Sequence, residues 1–171
     1  MTGANTAAAS VAVPGEHEQR LTISIDVFVP DHPDRTTTPI FAATRRKLIS
    51  NNPDACCWVC GKTEAELGQP LELHHDLVEW CDSLGVAWEK VKIDAPDFDW
   101  ASFDPSKPET FIDSEHNAYL VLCKKHHTGK DHGKHMLPEP IWRMQRYKRD
   151  DFVFSPDEAA AVATAALSAG S

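Results

Sequence analysis

Residues 122–127 read Leu-Cys-Lys-Lys-His-His, and residues 57–61 read Cys-Trp-Val-Cys-Gly. Zinc favours four soft or borderline ligands in a tetrahedron, commonly supplied as two short-spaced pairs from distant parts of a chain. Cys57/Cys60 and Cys123/His126 have that spacing in both halves. A metal held this way would cross-link a core otherwise interrupted by loops, and can contribute on the order of 10 kcal/mol to folding. The bland readings are a redox C-x-x-C or buried unliganded thiols; the first needs a βαβ context that this sequence does not offer. Either His126 or His127 can stand fourth. Adjacent residues must point in different directions, so one goes to zinc and the other elsewhere. Cys56 could replace Cys57 at a less usual spacing, and Cys81 reads as a buried helix residue.

Working outward, residues 71–80 (LELHHDLVEW) begin as a short strand that ends near His74-His75, and residues 119–122 form a second apolar strand. A helix begins around Cys123-Lys124. Thr38-Pro39 has the form of an N-cap followed by proline at the first helical position, opening a helix to about Ser50. Residues 21–29 (LTISIDVFV) alternate apolar and polar, the pattern of a half-buried strand. Residues 78–93 carry apolar side chains at roughly helical spacing. Residues 94–115 are acidic, contain proline and have no clear period; they read as a solvated loop insertion, with Asp97, Asp99 or Asp104 reaching the site as the alternative. Pro140 opens a basic helix over residues 141–149. The fold class expected is α+β.

The chain has 171 residues, which is a one-domain length. We expect residues 1–19 to be disordered, residues 20–150 to form the single domain around a core at 55–136, and residues 151–171 to be a flexible tail. No apolar run reaches the 18 or so residues needed to cross a bilayer. The first twenty residues lack a basic n-region, so no secretory signal is expected. Five cysteines, an odd number with two in a C-x-x-C near histidines, favour reduced, metal-bound thiolates and a cytoplasmic setting.

The net charge of −9 at first argues against a polyanionic partner, but the charge is unevenly spread. Residues 81–116 carry nine Asp/Glu against three Lys, whereas residues 117–149 carry eight Lys/Arg against two Asp/Glu. Arg45-Arg46-Lys47 adds a second basic cluster. DNA binding is therefore permitted by the local patches rather than required by the total. On residues 143–149, Arg143, Arg146, Lys148 and Arg149 suit backbone contacts, which give affinity without sequence information. The competing reading is a solvated helix face with Trp142 and Tyr147 packed inward.

Two histidines in a row at a strand end are costly in a core, since each polar ring needs partners. One can ligate a divalent metal while the other, splayed away, acts as a base with a pKa near working pH. With Asn117 and His127 they make a set suited to phosphodiester hydrolysis. In such chemistry a metal stabilises charge on phosphate and leaving oxygen while an imidazole deprotonates the attacking water. His132 and His135 fall in the following turn and read as exposed, with contact to phosphate or metal as the alternative.

Cys57-x-x-Cys60, Leu73-His74-His75, Asn117 and Leu122-Cys123-x-x-His126-His127 together resemble the zinc-containing branch of the HNH (His-Asn-His, ββα-metal) endonucleases, over about residues 55–136. Gly133-Lys134-His135 followed by Pro140-Ile141-Trp142 adds a likeness to small HNH proteins of bacteriophages and their actinobacterial hosts. The resemblance implies a two-stranded hairpin packed on a helix around a catalytic metal. It implies His75 as general base, and His74 and His127 as ligands of a catalytic divalent ion such as Mg²⁺, Mn²⁺ or Ni²⁺. Asn117 would brace the loop that orients His75, or contribute to the metal. Cys57, Cys60, Cys123 and His126 would hold a structural zinc, His126 standing where the commoner pattern has cysteine. Double-stranded DNA is the partner it implies, met through residues 45–47 and 143–149. Two other classes remain: a non-catalytic zinc module that binds DNA or protein, and an inhibitor whose acidic 94–115 segment imitates nucleic acid charge.

Overall fold

The computed structural model describes residues 30, 32, 34–148 and 155–169. The strand expected over residues 21–29 and the segment 1–19 lie outside these, as does Arg149.

The first described helix, α1 (Pro39–Arg45), begins as the sequence requires. Thr38 is the N-cap; its hydroxyl accepts from the Phe41 backbone N–H at 3.0 Å, and proline follows at a position that needs no donor. A π-helical turn, Arg46–Ser50, continues it to the expected end. Helix α2 (Glu64–Leu67) carries a complete capping box between Thr63 and Glu66 and stops at Gly68, whose φ of 63° is left-handed.

Strands β1 (Leu71–His74) and β2 (Leu120–Cys123) pair antiparallel, with Leu71 opposite Cys123 and His74 opposite Leu120. Directly opposed residues share a face and successive residues alternate. Leu71, Leu73, Val121 and Cys123 therefore line one side of the ribbon, and Glu72, His74, Leu120 and Leu122 the other. Both sides are covered: Leu71, Leu73, Leu120 and Leu122 join Ile49, Cys57, Val59, Cys123 and Trp142 in the main core. Helix α5 (Lys124–Thr128) leaves β2 without a break, and α6 (Glu139–Tyr147) returns to bury Trp142 completely. The Trp142 indole N–H donates to the His126 carbonyl at 2.8 Å, and its ring stacks on Trp58 at 5.4 Å. The architecture is mixed helix with a small antiparallel sheet, in agreement with the α+β expectation.

Two stretches depart from the sequence reading. Residues 78–93 split into a 3₁₀ helix (Trp80–Gly85) and α3 (Trp88–Asp94), because Val86 and Ala87 are extended between them. Residues 94–115, expected as a solvated loop, fold into a second core. Phe98, Trp100, Phe103 and Phe111 pack on one another, and Phe103 and Phe111 also meet Trp88, with ring centroids 4.9–6.0 Å apart. Phe111 and Ile112 of α4 (Glu109–Ile112) are completely buried there. Aromatic rings bury large areas without needing a regular repeat, which is why neither periodicity nor the acidic composition betrays them.

Helix α7 (Pro156–Ala169) is largely exposed; Glu158 ties it to Lys148 at 3.2 Å. Tyr147 packs edge-on against Trp58 yet remains 62% exposed, so only Trp142 of the expected inward pair is buried.

Candidate metal centres

The C-x-x-C turn is built by its own backbone. Gly61 donates to the Cys57 carbonyl at 2.8 Å with φ of 68°, a conformation that favours glycine. Trp58 N–H donates to the Val121 carbonyl at 2.8 Å, docking the turn on β2. The turn thus meets the first residues of α5. Cys57, Cys60, Cys123 and His126 bring one ligand atom each within 4.8 Å of one another. His126 Nδ1 stands 3.5 Å from Cys57 Sγ and 3.2 Å from Cys123 Sγ. Burial pushes the Cys57 thiol up, but the His126 hydrogen bond and backbone donors outweigh it and bring its pKa down to about 6. Three sulfurs and an imidazole in one cluster, buried except for the exposed Cys60, could hold a metal such as zinc. Cys56 and Cys81 lie outside the cluster, both half-buried.

A second cluster lies across the ribbon. His74, His127 and His135 also bring ligand atoms within 4.8 Å of one another. His126 and His127 separate because successive helical residues diverge by about 100°. His127 Nδ1 pairs with Glu72 Oε2 at 2.6 Å, and its Nε2 lies 3.1 Å from His135 Nε2. With the Nδ1 proton committed to Glu72, the His127 Nε2 carries a lone pair directed at the third imidazole. His74 is 4% exposed, and its Nδ1 has no hydrogen-bond partner. Burial is the largest influence on this ring and takes its pKa down to about 4, so it is a neutral donor. A buried nitrogen without a partner costs about 1–3 kcal/mol, and the donor set fits a divalent cation. His135 is exposed in its turn, as the sequence reading has it, and also belongs to this cluster, the metal contact held there as the alternative. His132 is buried against Gln145 at 3.0 Å and is not an exposed turn residue.

His75 turns away from that cluster. Its Nε2 meets Asp113 Oδ1 at 3.1 Å, its ring stacks on Phe41, and Arg35 covers both ring nitrogens at 3.1 and 3.3 Å. Burial pulls the His75 pKa down, but Asp113 and Glu79 outweigh it and raise it above the ordinary value. Asp113 is completely buried. Burial lifts its carboxyl, yet the bonds from His75 and Thr38 and the Arg35 charge hold it below the usual range. Asp113 therefore stays ionised and faces His75 Nε2 as an acceptor.

Asn117 is completely buried, and its amide is fully used. Oδ1 accepts from Leu77 and Val78 N–H at 2.9 and 3.0 Å; Nδ2 donates to the Val78 and Ile112 carbonyls at 2.9 and 2.8 Å. Of the two roles expected for it, bracing the loop after His75 is the one its hydrogen bonds fill.

Sequence reasoning missed Glu72, Glu79, Asp113 and Arg35. Glu72 was legible: it stands two residues before His74, hence on the same strand face. Asp113 gives no local signal, since it arrives from the segment read as a loop; Asp97, Asp99 and Asp104 do not make its contact. Of the basic residues expected on an interface, Arg143 pairs with Glu139, Arg146 reaches the Trp58 carbonyl, and Arg45 reaches the Leu71 carbonyl.

No family model matches this chain, and neither a curated protein nor a solved structure matches it. Among the described residues, no helix is long and apolar enough to cross a membrane.

Proposed function

We propose that this chain is a metal-dependent DNA endonuclease of the HNH type, built on a zinc-stapled ββα-metal core. One observation carries the reading. The three imidazoles of His74, His127 and His135 converge on one face of a β-ribbon, beside an Asp-paired His75, while a Cys₃His set occupies the other. Cys57, Cys60, Cys123 and His126 would hold the structural zinc; His74 and His127, joined by His135, would hold the second ion.

A divalent cation in the imidazole set would supply Lewis-acid stabilisation of the charge on phosphate and leaving oxygen. The remaining work falls to the protein's own groups. Asp113 would fix the His75 tautomer by accepting at Nε2, so the attacking water would give its proton to Nδ1. Arg35 now donates to that nitrogen, and a scissile phosphate is the anion that would draw the guanidinium away. Asn117 holds the turn on which His75 stands. Double-stranded DNA would approach along residues 45–47 and 143–149, whose cations serve phosphate rather than bases. The setting we propose is the cytoplasm of a bacterial or phage-infected cell.

The second reading is a non-catalytic zinc module that binds DNA or protein. It is favoured by the Arg35 cover, which leaves His75 only 6% exposed. Zinc-loaded protein supplied with Mg²⁺, Mn²⁺ or Ni²⁺ separates the two. The nuclease nicks supercoiled plasmid, and the nicking disappears in His75→Ala while zinc content and the circular-dichroism spectrum persist. Absence of cleavage under all three metals, with DNA binding intact, moves the assignment to the non-catalytic module.

A further inference from the structure

We propose that Glu79 is a direct ligand of the second metal, with its other carboxylate oxygen facing His75. The inference rests on the metal half of the nuclease reading and not on hydrolysis itself.

Glu79 is the residue that precedes the 3₁₀ helix Trp80–Gly85, four positions after His75, and its extended backbone turns the side chain back toward the histidines. Its Oε1 lies 3.7 Å from His74 Nδ1 and 3.9 Å from His135 Nε2; its Oε2 lies 3.6 Å from His75 Nδ1. None of these is a hydrogen bond, since separations of 3.6–3.9 Å are too long for an N–H···O contact. The gap is left at a nitrogen that is buried and has no other partner, His74 Nδ1.

Donor atoms around an ion with bonds of about 2.1 Å stand roughly 3.0 Å apart in an octahedron and roughly 3.4 Å apart in a tetrahedron. The His127–His135 nitrogen pair, at 3.1 Å, already has that spacing. The two Glu79 Oε1 distances exceed the tetrahedral spacing by about 0.3–0.5 Å. Glu72 removes the competing choice for its neighbour, because its bond at 2.6 Å already holds His127 Nδ1. Three neutral imidazoles would give the ion no charge compensation. One carboxylate supplies it, and the same carboxylate faces the base. The site keeps an open side for substrate, as the His135 and Glu79 side chains are 41% and 33% exposed.

Imidazole-rich sets suit transition-metal dications, so Co²⁺ is the probe. Zinc-loaded full-length protein is titrated with Co²⁺, following heat and the visible d–d bands, for wild type, Glu79→Ala and Glu79→Gln. Wild type takes one Co²⁺ beyond its zinc. Glu79→Ala binds it about tenfold or more weakly with an altered d–d spectrum. Glu79→Gln, which keeps the shape and one oxygen, falls between them. Zinc content and circular dichroism are unchanged in both variants. The proposal is overturned by wild-type Co²⁺ affinity in Glu79→Ala, by weaker binding with an unaltered spectrum (a charge acting at a distance), or by no second ion in wild type. Plasmid nicking measured alongside separates this from the nuclease reading. Glu79-dependent Co²⁺ binding without nicking sinks the nuclease and leaves Glu79 a ligand. Nicking with Co²⁺ affinity unmoved in Glu79→Ala does the reverse.

Discussion

The Cys57–Cys60–Cys123–His126 cluster and the His74–His127–His135 cluster share one ribbon and one helix but differ in almost every physical respect. The first is anchored among core side chains, with Cys57 and Cys123 at most 1% exposed and only Cys60 at the surface, and its donors are mostly sulfur. The second is all nitrogen, rimmed by the carboxylates of Glu72 and Glu79, and opens toward solvent through His135. A closed thiolate set suits a structural ion, whereas an imidazole set with an open side suits an ion that must meet a substrate. Adjacent residues of α5 serve both. His126 and His127 can do so because the helix sends them in different directions and the strand register has already put Cys123 and His74 on opposite faces.

The sharpest way to break the contrast is to remove the ion from the closed cluster. Cys123→Ala should release about one equivalent of zinc and forfeit stabilisation on the order of 10 kcal/mol, comparable to the whole stability of a small domain. Metal analysis with a circular-dichroism melt checks it; a wild-type melt after complete chelation would show that the cluster is not a structural centre. Next comes the open side. His75→Ala should lower plasmid nicking by roughly 10²–10⁴-fold while the zinc stays as it was, because its ring contributes to neither cluster; the melt falls only by the loss of its buried partner for Asp113, about 1–3 kcal/mol.

Asn117→Ala should fall between the two kinds of effect. Two backbone N–H groups and two carbonyls lose their buried partner at once, and a destabilisation of about 3 kcal/mol is expected in urea unfolding. Zinc content should hold, while the His75 turn loosens and nicking falls. If instead zinc is lost, the two centres are coupled through the ribbon more tightly than their separate faces imply. The smallest effect belongs to Glu72→Gln, which weakens the hold on His127 Nδ1. Calorimetric titration of zinc-loaded protein with Ni²⁺ should register roughly a tenfold loss of affinity at the second site, with no change in melting.

Much of the closed cluster was legible, because metal spacing is a local property. C-x-x-C with a following glycine and Cys-x-x-His at the end of an apolar strand each state their half of the geometry, and the structure brings the halves together. Thr38-Pro39 likewise announces its helix, since capping and proline placement are decided within four residues. The open cluster was half legible. His74 and His127 meet as the motif order suggests, but His135 returns to them only through the turn that hangs Lys134 and His135 N–H groups on the His126 and His127 carbonyls.

The surroundings of His75 were not legible at all. Asp113 and Arg35 lie 38 and 40 residues away in the chain, and both converge on one buried ring. The segment that delivers Asp113 is acidic and has no period, so its aromatic core is invisible until Phe98, Trp100, Phe103 and Phe111 are seen to pack together, the last two also against Trp88. By itself the sequence determined the ligand types, their short spacings, the caps and the two strands, all of which depend on neighbours along the chain. Only the tertiary structure decided which histidine joins which cluster, what orients His75, and that the acidic segment has a core. Those outcomes depend on burial and on charges brought together from distant residues, and no local pattern encodes either.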